Sequence, residues 1–123
     1  MKSNTITMIT GASMTGTVTV NSNPINLDQI YGYAVQVVWS GNPTGSFKLQ
    51  ASCDAPTSTN QTANGGPDGI VNWSDITGTA QAVAGSAGNF MWNQNGAFYR
   101  YVRLVYTNSA GVGSFSANVV IKG

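Results

Sequence analysis

The stretch Gly32-Tyr33-Ala34-Val35-Gln36-Val37-Val38-Trp39-Ser40-Gly41-Asn42-Pro43-Thr44-Gly45-Ser46-Phe47-Lys48-Leu49-Gln50-Ala51-Ser52 carries two strands and the turn between them. Its period is two. Tyr33, Val35, Val37 and Trp39 fall on one side, and beyond the break Phe47, Leu49 and Ala51 alternate with Lys48, Gln50 and Ser52. A helix needs apolar residues three and four apart, which an alternating row does not supply. Gly41-Asn42-Pro43-Thr44-Gly45 is built of turn-forming residues, so the two runs are expected to join as a hairpin. The first run is also apolar on its second side, through Ala34 and Val38. That marks a central strand or one that meets a neighbouring subunit.

The same period continues in both directions. Upstream, 4–10 and 15–20 alternate apolar with β-branched polar residues, separated by a turn at Gly11 and Ser13, and a short run covers 25–27. Downstream, 54–69 is rich in Thr, Asn, Gly and Pro and has no apolar pattern, which predicts a long exposed loop. Strands resume over 70–76, 79–83, 89–92, 98–107 and 112–121. Val102, Leu104 and Tyr106 share one face of the penultimate run, and Phe115, Ala117, Val119 and Ile121 share one face of the last. No ten-residue segment reads as a helix. Eight or nine short strands must stack or close to cover their apolar faces, so the fold class is all-β: a single antiparallel β-sandwich, jelly-roll-like, over 1–123. The alternating segment 1–10 has the pattern of an N-terminal arm that adds to an exposed sheet edge on a neighbour. No repeat of fixed period points to a propeller or solenoid.

Composition narrows the function classes. Charged residues make up 7% of the chain, against roughly 25% in an average soluble protein, while hydrophobic residues make up an ordinary 41%. Neutral Asn, Ser, Thr, Gln and Gly keep such a surface wet without a long-range field. The net charge of +1 comes from Lys2, Lys48, Arg100, Arg103 and Lys122 against four aspartates. Phosphate binding wants a clustered basic stripe, and Arg100 and Arg103 fall on opposite faces of a strand, so no nucleic acid is expected as a partner. No apolar run approaches the roughly 20 residues of a membrane helix, and 1–7 lacks the apolar core of a secretory signal, so no membrane partner and no secretion are expected.

Catalytic inventory is poor. Histidine is absent, which removes the commonest general base and zinc ligand. Asp28, Asp54, Asp68 and Asp75 are read as turn and strand-end residues rather than as an acid/base pair. Asp54, Asn60, Asn64 and Asp68 offer hard oxygens in the long loop, but at no calcium-loop spacing, and Gly65, Gly66 and Gly69 lack the lysine of a phosphate loop. The lone Cys53 continues the row Phe47, Leu49, Ala51 and is expected to be a small buried apolar residue. The expectation is therefore no enzyme, no catalytic residue, no cofactor and no metal. Aromatic residues are the remaining lead: Tyr33 and Trp39 on the first run, and Tyr99 and Tyr101 opposite Val102 and Leu104, are the candidate interface residues.

Three segments, Val37-Val38-Trp39-Ser40-Gly41-Asn42-Pro43-Thr44-Gly45-Ser46-Phe47-Lys48-Leu49-Gln50-Ala51-Ser52, Trp73-Ser74-Asp75-Ile76 and Tyr99-Arg100-Tyr101-Val102-Arg103-Leu104-Val105-Tyr106-Thr107, carry a resemblance. Together they resemble the small β-sandwich virion proteins of tailed bacteriophages, of the capsid cement or decoration type, with related sandwiches in tail components. The Arg100–Leu104 run is also similar to the last strands of discoidin-type sandwich domains. Where such sequences often have a tight Asn-Asp-Gly turn, this one has Cys53-Asp54 and a long insertion, so no loop-borne site is carried over. The resemblance implies a structural virion protein that binds the major capsid protein over capsomer joints, or a tail protein as a tail or fibre accessory. It implies assembly in the bacterial cytoplasm and residence in the virion. Surplus apolar surface adds the expectation of a homo-oligomer, trimer or dimer. A carbohydrate-binding module is the alternative from another class.

Overall fold

The computed structural model describes residues 3–28, 30–57 and 69–122. Ten strands follow one another: β1 (Ser3–Ser13), β2 (Val18–Asn21), β3 (Ile25–Asn26), β4 (Gly32–Gly41), β5 (Thr44–Ser52), β6 (Ser74–Asp75), β7 (Gln81–Ala84), β8 (Gly88–Asn95), β9 (Tyr101–Ala110) and β10 (Gly113–Lys122). They form two antiparallel sheets. The first runs β1-β10-β4-β8; the second runs β2-β9-β5-β6, with β3 also on β9 and β7 also on β5. That order is a jelly roll, as expected, and the count reaches ten because the short run at 25–27 forms a two-residue strand, β3, of its own.

The inward rows are the ones the alternation marks. Tyr33, Val35, Val37 and Trp39 of β4, Phe47 and Leu49 of β5, Val102, Leu104 and Tyr106 of β9, and Phe115, Ala117 and Val119 of β10 are buried together. Burying each of the larger side chains contributes roughly 1.5–3 kcal/mol. Phe47 sits at the centre, fully buried, with the rings of Trp39, Trp92, Tyr106 and Phe115 at 4.4 to 6.3 Å. The buried polar side chains Ser22, Tyr106 and Asn108 all find partners, whereas the Arg100 Nε is buried without one among the described residues. Tyr106 Oη donates to Asn108 Oδ1 at 2.7 Å, Asn108 Nδ2 donates to the Gly16 carbonyl at 2.7 Å, and Ser22 Oγ accepts from the Leu104 N–H at 2.8 Å.

Several local expectations are corrected. The runs on either side of 41–45 do not form a hairpin: β4 pairs with β10 and β8, whereas β5 pairs with β9, β6 and β7. The turn carries the chain from one sheet to the other, because both apolar rows must face the same core. Its polar groups bond outward, Asn42 N–H to the Val112 carbonyl at 2.9 Å and Gly85 N–H to the Pro43 carbonyl at 2.8 Å. Gly41 makes the crossing at φ 89, where a Cβ would collide with the Val112 carbonyl oxygen.

Residues 3–10, the described part of the expected arm, are an edge strand of the chain's own first sheet, paired with β10. Cys53 is exposed, not buried. The strand ends at Ser52, which is itself buried, and parity does not survive the bend that follows. The expected strand over 70–76 shrinks to Ser74–Asp75. Of the expected loop over 54–69, residues 58–68 lie outside the described residues. Its two ends meet: a Cβ on Gly69, which has φ 98, would stand 2.7 Å from the Thr57 nitrogen.

Candidate functional site

Two of the four candidate interface aromatics, Tyr33 and Trp39, point into the core from β4, and Tyr101 is buried on the other side of β9. Trp39 Nε1 donates to the Ser86 carbonyl at 2.8 Å. Tyr99 is half-buried beside the core, its ring edge-on to Tyr33 and its hydroxyl bonded to the Tyr33 hydroxyl. Burial pushes both phenols above their usual 10.0. Tyr33 and Trp39 therefore act as packing, and the surface available for contact lies on the opposite face of their strand.

That face is the outer side of the first sheet. Strand parity sends Ala34, Gln36 and Val38 outward from β4, and register sets Ala34 between Val120 of β10 and Asn93 of β8, and Gln36 opposite Met91 of β8. Small side chains at Gly32 and Ala34 leave a shallow concavity of about 540 Å³ whose sides include Tyr31, Met91, Asn93 and Val120. The backbone of Tyr31 is tied at the rim: its N–H donates to the Lys122 carbonyl at 2.8 Å, and its carbonyl accepts from Gly96 N–H at 2.9 Å. Tyr31, Val38 and Met91 are 66%, 55% and 53% exposed, a large apolar expenditure for a wet sheet face. Neither β4 nor β8 contains a charged residue, and Lys122 is the cation bordering the groove.

Across the sandwich, the outer side of the second sheet is a closed polar clamp. The Arg103 guanidinium lies 4.3 Å from the Trp73 ring centroid and donates to Gln50 Oε1 at 3.0 and 2.8 Å. Gln50 Nε2 donates to Asp75 Oδ1 at 2.8 Å, and Lys48 Nζ lies 3.1 Å from the same carboxylate. Those donors, Gln50 first, hold Asp75 below its usual 3.8. Asp54 is similarly occupied, accepting from the Asn72 N–H at 2.7 Å and the Val71 N–H at 2.8 Å, which lowers its pKa. Carboxylates kept ionised and filled with donors are poorly placed to exchange protons at neutral pH. Asp28 pairs with Arg100 at 3.4 Å, at a smaller hollow of about 300 Å³ bordered by Cys53 and by Phe98, whose side chain is 96% exposed. Asn60, Asn64 and Asp68, the other oxygens considered in the long loop, lie outside the described residues. Among the described residues no three His, Cys, Asp or Glu side chains come together.

No family model matches this chain, and a search of curated proteins finds no match. Among solved structures, the crystal structure of the SPBc2 prophage-derived protein YomS is similar, with a TM-score of 0.48 and 12% identity over 98% of this chain and 92% of that one.

Sequence reasoning reached part of this face. Ala34 and Val38 are legible as surplus apolar positions on their run. Met91 was missed, and Tyr31, one aromatic among several, was not among the four interface candidates. Met91 lies between Phe90 and Trp92, so parity alone assigns it to the face opposite two ring-bearing core residues. Tyr31 precedes its strand and carries no periodic signal.

Proposed function

We propose that this chain is a structural component of a tailed-bacteriophage particle: a capsid cement or decoration protein that binds the major capsid protein over capsomer joints and works as a homo-oligomer. The observation that carries this reading is the outer face of the first sheet, where Val38 and Met91 are exposed on strands without charge and Tyr31 is exposed just ahead of β4. Cement proteins add contact area, and an uncharged apolar face gains from contact with little ion desolvation to oppose it. The clamped carboxylates support a binding role over catalysis. The three segments that resemble phage virion sandwiches span both sheets and support the particle assignment.

Particles stripped of the protein and then mixed with the purified chain test the proposal. Wild type is expected to rebind capsids, and Val38→Asp, on an exposed position, is expected to fold normally and bind roughly tenfold or more weakly, an effect of ~1.4 kcal/mol or above. Attachment to tails alone would replace the cement role with that of a tail or fibre accessory. A carbohydrate-binding role is favoured by one observation, the exposed Phe98 ring beside Asp28 and Arg100. Glycan binding lost in Phe98→Ala, with no attachment to particles, would establish that alternative.

A further inference from the structure

Sheet edges in this fold are guarded unequally. An edge strand presents a row of unpaired N–H and C=O groups, and proteins blunt such rows with bulges, charge, proline or short length. Along β1 the register shifts twice, between Thr7 and Ile9 and between Ile9 and Ala12, and the Met8 carbonyl accepts from the Asn23 N–H at 3.2 Å. The strands at the edges of the second sheet, β2, β6 and β7, are four, two and four residues long. Strand β8 differs on every count. Its eight residues, Gly88-Asn89-Phe90-Met91-Trp92-Asn93-Gln94-Asn95, pair with β4 in unbroken register and include no charge and no proline. Among the described residues no backbone group pairs with its other side.

We infer that two copies of this chain pair edge to edge through β8, antiparallel about a two-fold axis at Met91, so that the four-stranded sheet of one continues into that of the other. This deepens, and rests on, the self-association in the function proposed above. The register follows from geometry. A two-fold axis normal to the sheet keeps inner faces on one side, so directly opposed residues share parity and the axis must fall on a residue, not between two. The two central choices are Met91 and Trp92. Centring on Trp92 opposes its ring to its own copy, although that indole is buried with its N–H committed to the Thr79 carbonyl at 2.8 Å, and sets Met91 against Asn93. Centring on Met91 opposes the exposed Met91 to its copy, Asn89 to Asn93, and Phe90 to Trp92, so apolar meets apolar and amide meets amide. A second copy suits this edge because both approaching surfaces, β8 and the β4 behind it, are uncharged and nothing repels the like surface. Pairing there also joins the two outer grooves, each bordered by Met91 and Asn93.

Engineered cysteines read the register directly. In a Cys53→Ser background, Met91→Cys places two thiols on opposed positions about 4.5–5.5 Å apart at Cα, within disulfide range. Mild oxidation is expected to give a covalent dimer with Met91→Cys and none with Val38→Cys, one strand further in. Light scattering is expected to find a dimer for wild type and for Met91→Thr, and ~tenfold weaker dimerisation for Met91→Lys, which sets two ammonium groups face to face. Circular dichroism of each variant checks that it folds. A monomeric wild type, or a dimer that is insensitive to Met91→Lys and cross-links through Val38→Cys, would overturn the pairing. Rebinding to stripped particles separates this from the functional proposal: a monomer that still binds capsids sinks the pairing alone, and a β8 dimer that binds neither capsid nor tail sinks the virion role alone.

Discussion

Trp39 and Phe47 face each other across the core with ring centroids 5.4 Å apart, one from each sheet, although only a short turn separates their strands. Phe47 touches four rings and is fully buried. Phe47→Ala is expected to cost about 3–5 kcal/mol, because the cavity is walled by rings fixed in both sheets and cannot collapse. The shift in denaturation midpoint at unchanged m-value measures it.

The carboxylate of Asp54 ties the start of the long excursion to its return, accepting from Val71 and Asn72. Those N–H donors lower its pKa below the usual 3.8, and Gln50 and Lys48 do the same at Asp75. A depressed native pKa stabilises the fold above the unfolded value and is lost as pH falls through the native one. Thermal stability is therefore expected to fall only below about pH 4, with no histidine transition near neutrality. In Asp54→Asn the acid slope is expected to be shallower, with Tm followed from pH 7 to pH 2 as the readout.

At the alkaline end the sign reverses. Tyr33, Tyr99 and Tyr106 are held above 10.0, chiefly by burial. A raised native pKa favours the fold below the unfolded value, and the advantage is lost as pH climbs through the native one. Unfolding is expected to set in above about pH 10, with phenolate absorbance rising in the same transition. Tyr33→Phe leaves Tyr99 without its hydroxyl partner and is expected to cost ~0.5–1.5 kcal/mol at pH 7 while flattening the alkaline slope.

Because Gly69 backs onto Thr57, the segment 58–68 begins and ends at nearly one place. Replacing it by a short Gly-Ser link is expected to change Tm little, since closure entropy varies only slowly with loop length. Gly69→Ala is expected to cost more than the whole replacement, as its Cβ meets backbone at a φ that L-residues rarely adopt. A pair of melting curves compares the two variants.

By itself the sequence determined the periodic part of this protein. Alternation in 32–40, 46–52, 98–107 and 112–121 was enough to assign strands, an all-β sandwich and most of the core, because side-chain parity is a local property of an extended backbone. Absence of histidine and scarcity of charge also restricted the chemistry without reference to any coordinates.

Only the tertiary structure decided which sheet each strand joins and which side of it is wet. Residues 41–45 have the composition of a hairpin turn, yet the turn spans the two sheets, because closing the core across Trp39 and Phe47 outweighs pairing neighbours in sequence. Alternation groups Tyr33 and Trp39 on one side of β4, but both sides of that strand contain apolar residues and a period of two cannot say which is left for contact. Tyr101 lies on the side of β9 opposite the core row, and its burial is a tertiary fact. Cys53 left the pattern where the strand ended, a bend that alternation does not encode. The face formed by Tyr31, Val38 and Met91 gathers residues from before β4, from β4 and from β8, and pairing between distant segments, which burial of the common core dictates, is what places them on one surface.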